Sequence, residues 1–170
     1  GTVDAFKEYA KAYPKGKYID DINKRIEDYD MWSFASSANT ISAYNQYLRN
    51  SKHKSFKEKA DAAIKELQAQ EEWNRVKNST NISDIERYMS AYPNSSCISD
   101  AKKRRHELTA VSLYNSGNFR AALNEFNEAG GRYSLQYVNR DLYDKCKEYY
   151  DYSQLSSYSK ENELESFLKT

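Results

Sequence analysis

"NTISAYNQYL", residues 39–48, is one of five versions of a single phrase in a chain of 170 residues. The others are "GTVDAFKEYA" at 1–10, "TNISDIERYM" at 80–89, "FRAALNEFN" at 119–127 and "SKENELESFL" at 159–168. Tyr9, Tyr47, Tyr88, Phe126 and Phe167 form one column, with spacings of 38, 41, 38 and 41. Trp32, Trp73, Val111 and Tyr152 form a second, with spacings of 41, 38 and 41. Periods of roughly 20–50 residues signify stacked supersecondary units, each too small to bury its apolar face alone.

Between the columns a short amphipathic stretch alternates with a long one. Short helices are predicted near 2–12, 40–50, 81–91, 118–129 and 160–169, and long ones near 17–37, 54–77, 97–116 and 133–154. The punctuation agrees: "NT" at 39–40 and "TNIS" at 80–83 offer N-caps, and "GG" at 130–131 suits a helix C-terminus. No segment sustains the period-2 alternation of a strand, and five Gly with two Pro are few for an all-β chain. The expected fold class is all-α. A stripe at Ile22, Ile26 and Tyr29 returns as Ala63, Leu67 and Gln70, as Ala101, Arg105 and Leu108, and as Leu142, Cys146 and Tyr149. Spacings of four and three put each set on one helical face, the face expected to meet the next unit.

Composition narrows the function classes. Lys and Arg number 26 against 25 Asp and Glu, a balance without the field that draws a protein to nucleic acid or an anionic membrane. The basic run "KKRRH" at 102–106 points around most of a helix rather than along one face, so no nucleic-acid partner is expected. No apolar run approaches the ~18 residues of a membrane span, and membrane insertion is not expected. Sixteen Tyr supply apolar area in narrow layers, because the ring is buried while the hydroxyl finds a partner. Cys97 and Cys146 lie far apart, with no CxxC and no His at ligand spacing, so neither a metal nor a disulfide framework is expected.

"LYNSGNFRAALNEFNEAG", residues 113–130, resembles a tetratricopeptide repeat. Gly117, Phe119, Ala122, Phe126 and Ala129 fall where that motif has its turn glycine, aromatic, small, aromatic and small residues. The other units are similar to longer bacterial variants of the family. The resemblance implies a right-handed α-solenoid of stacked antiparallel helix pairs with a period of 38–41 residues. It also implies a scaffold that binds proteins, peptides or another domain of its own chain. The units are then 1–38, 39–79, 80–117 and 118–158, with the start of a fifth at 159–170, all in one helical-repeat domain. Both ends cut a unit midway, which is the pattern expected of a portion of a longer chain.

No catalytic constellation is legible. There is no Gly-rich phosphate loop, no nucleophile elbow and no paired metal ligands, and "HELTA" lacks the second His of a metalloprotease helix. Neither catalysis nor a cofactor is expected. His53 and His106 have no acidic orienter at fixed spacing. Sequons begin at Asn78, Asn81 and Asn94, but helix capping accounts for the hydroxyls of two of them.

The candidate partner-binding residues come from the column beside the apolar stripe. Asp21, Arg25, Asp28 and Trp32 are followed by Ala62, Glu66, Ala69 and Trp73. Asp100, Arg104, Glu107 and Val111 come next, then Asp141, Lys145, Glu148 and Tyr152. Three of the four sets read acid, base, acid, apolar. The expectation is a charged strip of Arg25, Asp28, Arg104, Glu107, Lys145 and Glu148, with Trp32, Trp73 and Tyr152 at its margin, that receives a peptide segment. The competing readings are intrahelical pairing, and a structural spacer whose repeats only set distance. Arg105 occupies an apolar slot, so it is expected either at least half exposed or paired with a carboxylate.

Overall fold

The computed structural model describes residues 2–155. Among these the secondary structure is all helical. The α-helices are α1 (Val3–Ala12), α2 (Ile19–Ala38), α3 (Ile41–Asn50), α4 (Lys57–Val76), α5 (Ile82–Ala91), α6 (Ile98–Asn115), α7 (Phe119–Glu128) and α8 (Tyr137–Leu155). Short and long helices alternate as the repeated phrase requires. The expected fifth short helix, near 160–169, lies outside the described residues.

Local chemistry sets the boundaries. The side chains of Thr2, Thr40, Asn81 and Asn118 each accept an N–H of the first helical turn, from Ala5, Ala43, Ser83 and Ala121. Asn39 ends α2 in the left-handed region at φ 46°, which Asn tolerates better than most residues. "NT" therefore stops one helix and starts the next within two residues, and the Tyr44 hydroxyl closes the turn by donating to Asn39 Oδ1 at 2.9 Å. α8 begins later than predicted. Gly130 and Gly131 both take positive φ, and a 3-10 turn at Arg132–Ser134 uses the residues that follow.

The chain divides into two compact units, Gly1–Glu71 and Glu72–Thr170. In the first, α1 packs on α2 and α2 on α3. Its core joins Ala35, Ala43, Tyr44, Tyr47 and Ala60, flanked by Met31, Trp32, Phe56, Ile64 and Leu67. In the second unit α5 packs on α6, α6 on α7 and α7 on α8, and α6 also meets α8. One cluster there is built on Val76, Ile85, Tyr88 and Ala101, another on Ala110, Ala122, Leu123, Phe126, Leu135 and Cys146. Tyr47, Tyr88 and Phe126, three members of the founding column, are each at most 2% exposed. Full burial of one such ring contributes about 2–3 kcal/mol. Alanines at 35, 60, 101, 110 and 122 are fully buried, so the helices approach over small side chains.

Candidate functional site

Asp28 is 1% exposed. Its Oδ1 accepts from the Tyr47 hydroxyl at 2.9 Å and from the Ser51 hydroxyl, and its Oδ2 accepts the Ser55 backbone N–H at 3.0 Å. Tyr47 Oη in turn accepts the Phe56 N–H at 2.9 Å, and Ser51 Oγ the Lys54 N–H at 3.0 Å. One carboxylate on α2 thus organises the loop between α3 and α4. Burial pushes the Asp28 carboxyl up, but the hydrogen bonds from Ser51, Ser55 and Tyr47 outweigh it and leave the pKa below the ordinary value. Burial is also the main reason that the Tyr47 phenol is raised to about 12.

Glu107 on α6 has the same office. It is 4% exposed, and its Oε1 accepts the Gln136 backbone N–H at 2.7 Å and the Asn139 side-chain amide at 2.8 Å. Its Oε2 accepts from Arg104 at 2.6 Å, while another Arg104 nitrogen donates to the Ser79 carbonyl at 3.0 Å. Where the column holds Ala69 there is no acid, and the Tyr88 hydroxyl instead shares a 2.7 Å hydrogen bond with the buried Ser95.

The expected strip is therefore not assembled as a surface. Asp28, Arg104 and Glu107 are buried, and their charges are used on loops of the fold. The reason is geometric: one step round from the apolar stripe still faces the following loop, whose backbone N–H groups need acceptors. Arg25 stays at the surface, 2.8 Å from Asp21, which is the intrahelical pairing weighed from sequence. Trp32 belongs to an aromatic box, stacked on Phe56 at 5.0 Å and 12° and edge-on to Tyr47 at 5.6 Å. Trp73 packs on Tyr88 at 5.3 Å. Neither tryptophan stands as a free anchor.

Lys145, Glu148 and Tyr152 are exposed and do come together. With Tyr114, Phe119 and Tyr149 they line a concavity of about 390 Å³ on the second unit. Lys145 pairs with Asp141 at 2.7 Å, a contact that raises its pKa. Tyr149 rests on Phe119 at 4.8 Å yet is 49% exposed, and Tyr152 is 69% exposed. Sequence reasoning missed Tyr114, Phe119 and Tyr149 as lining residues, although Tyr149 was visible as an apolar-stripe position.

Two smaller expectations are corrected. Arg105 is neither half exposed nor directly on a carboxylate: it is half-buried, with a terminal nitrogen 3.4 Å from His106 Nε2. His106 does have an acidic partner, since its Nδ1 lies 2.7 Å from Glu125 Oε2 on α7. Arg105 thus reaches a carboxylate through an imidazole that accepts at one nitrogen and donates at the other. Both cysteines are free thiols; Cys146 is buried, which pushes its pKa up, and Cys97 is half-buried. Among the described residues no group of three or more His, Cys, Asp or Glu is placed to hold a metal, and no helix is long and apolar enough to cross a membrane.

These features define, among the described residues, an all-α protein of alternating short and long helices, with two of its loops pinned by buried carboxylates and an aromatic concavity on the second unit. No protein-family model, curated protein or solved structure matches the chain.

Proposed function

We propose that the chain is a non-enzymatic helical-repeat scaffold, a tetratricopeptide-like α-solenoid module that holds a protein partner or another domain of its own chain. One observation carries this reading: Lys145, Glu148 and Tyr152 share a concavity with Tyr114, Phe119 and Tyr149. Exposed aromatics on a rigid helix, rimmed by charge of both signs, supply the anchors that peptide recognition uses.

The spacer reading draws its support from Asp28 and Glu107. Pinning two of the four loops that lead from a short helix into a long one stiffens those units from within, which suits a distance-setting element. A photo-cross-linking residue at position 152, with one at the equally exposed Phe34 as control, separates the two readings in cells that make the protein. A discrete cross-linked species at 152 and none at 34 is the expected result. No product at 152 overturns the scaffold reading and leaves the spacer.

A further inference from the structure

A cavity of about 390 Å³ lies within the second unit, walled by three segments of chain. The residues just after α4 supply Lys77 and Asn78, α6 supplies Lys103 and Arg104, and the loop into α8 supplies Gln136. Asp100 and Glu107 also line it, so three cations face two acids.

The charges are not equally committed. Both Glu107 oxygens are taken, by Arg104, the Gln136 N–H and the Asn139 amide. Lys103 and Asp100 are exposed, and neither has a hydrogen-bond or ion-pair partner among the described residues. Lys77 Nζ donates to Asn74 Oδ1 at 2.9 Å, which leaves it two further donors. Arg104 is 7% exposed, with terminal nitrogens on Glu107 and on the Ser79 carbonyl, and its Nε is buried without a hydrogen-bond partner in the protein. A buried donor left unpaired is costly, and it is one signature of a place where an ion binds. Arg25 and Lys145, which hold the same place in their own helices, pair at the surface with Asp21 and Asp141. Arg104 alone of these three turns inward, and it does so beside two lysines.

We propose that this cavity binds a phosphate-type oxyanion. Lys77 and Lys103 give it ammonium groups from two walls, Asn78 and Gln136 give side-chain amides, and the Arg104 guanidinium supplies positive charge behind it. Donors on three segments call for acceptors that point in more than one direction, which a tetrahedral oxyanion has and a planar carboxylate lacks. Asp100 opposes the anion and holds its affinity down. The volume exceeds what one phosphate fills, so the cavity also admits part of a molecule that carries the group. Free phosphate and a phosphorylated side chain are the two sources of this chemistry. The site is separate from the concavity at Tyr152 and stands whether or not a partner docks there.

A heteronuclear NMR titration of the purified protein at constant ionic strength tests this. The probes are inorganic phosphate, a short peptide carrying phosphoserine, the same peptide unphosphorylated, and acetate. Phosphate or the phosphopeptide is expected to shift, saturably, the Arg104 Nε–H, the Gln136 side-chain amide and the indole N–H of Trp73, which also lines the cavity. Lys77→Gln and Lys103→Gln, at exposed positions, are each expected to weaken binding about tenfold, while Lys102→Gln, also exposed, leaves it unchanged and Asp100→Asn strengthens it. Circular dichroism checks that the variants remain folded. Equal binding of phosphate and phosphopeptide assigns the site to the free anion, and much tighter binding of the phosphopeptide assigns it to a phosphorylated segment; either result supports the proposal. Three results overturn it: signals that do not move saturably, acetate or the unphosphorylated peptide binding as well as phosphate, or Lys102→Gln weakening binding as much as Lys103→Gln, which would mark unspecific attraction to surface charge.

Discussion

The Asp28 carboxylate accepts the Ser55 backbone N–H at 3.0 Å across 27 positions of sequence, and both groups belong to the same unit. The bond ties α2 to the loop that leads into α4 and leaves no charge for solvent. Replacing Asp28 by Ala strands the Tyr47 and Ser51 hydroxyls and the Ser55 N–H in a buried site, at a cost of about 3 kcal/mol. Asp28→Asn is expected to recover only part of this. With its oxygen kept on the Ser55 N–H, the Asn amide must donate to the Tyr47 and Ser51 hydroxyls, whose own hydrogens then lose their acceptor. Urea unfolding of the two variants measures both effects.

The same site responds to pH in two directions. The folded pKa of Asp28 is depressed, so its contribution to stability is complete above about pH 4 and is lost as pH falls through the folded value. Tyr47 is raised to about 12, so its contribution is complete below the unfolded phenol value of about 10 and is lost as pH rises through about 12. Asp28→Ala is therefore expected to flatten the acid limb of a plot of urea midpoint against pH. Tyr47→Phe is expected to flatten the alkaline limb and to remove one late-ionising phenol from an absorbance titration. Unchanged limbs would reject the assignment.

Arg25 and Arg104 hold the same place in their units and are expected to differ sharply. Arg104 is 7% exposed, 2.6 Å from a Glu107 that is itself buried. Arg104→Glu removes the counter-charge and sets two acids together, costing at least about 4 kcal/mol. Arg25 meets Asp21 at the surface and lies 5.8 Å from the Phe6 ring, and Arg25→Glu is expected to shift the urea midpoint only slightly. Comparable losses in the two variants would show that burial is not what separates them.

The contrast between these arginines also marks how far the sequence could be read. Helix positions were legible because the period, the caps at Thr40 and Asn81 and the paired glycines are local signals. The role of Asp28 was not, because acid, base, acid at spacings of four and three reads alike on a wet face and on a buried one. What distinguishes them is the acceptance of backbone N–H groups at Ser55 and Gln136, and every residue but proline offers that donor. The small residues of the interface were faint for a related reason: Ala35, Ala60 and Ala110 carry little hydropathy, yet they decide how closely the helices approach. The open concavity was half legible. Lys145, Glu148 and Tyr152 followed from the column, whereas Tyr114 and Phe119 reach it from other helices.

Gly130 and Gly117 both have positive φ, at 104° and 80°, yet alanine is expected to be far more costly at the first. A Cβ on Gly117 would meet nothing within 4 Å, so Gly117→Ala costs only the backbone strain of an L-residue at positive φ, about 1–2 kcal/mol. A Cβ on Gly130 would stand 2.6 Å from Ser134 Oγ and 2.9 Å from Ser134 Cβ. Ser134 ends the 3-10 turn that follows α7, and Gln136, two residues on, delivers its N–H to Glu107. Gly130→Ala must therefore displace the turn as well as strain the backbone, and its cost is expected to reach about 3 kcal/mol. Two measurements check this: the urea midpoint, and hydrogen exchange at the Gln136 amide. Exchange there should quicken in Gly130→Ala beyond what the global loss of stability accounts for, and should follow global stability alone in Gly117→Ala. If the two variants behave alike in both measurements, the coupling between Gly130 and the Glu107 site is rejected.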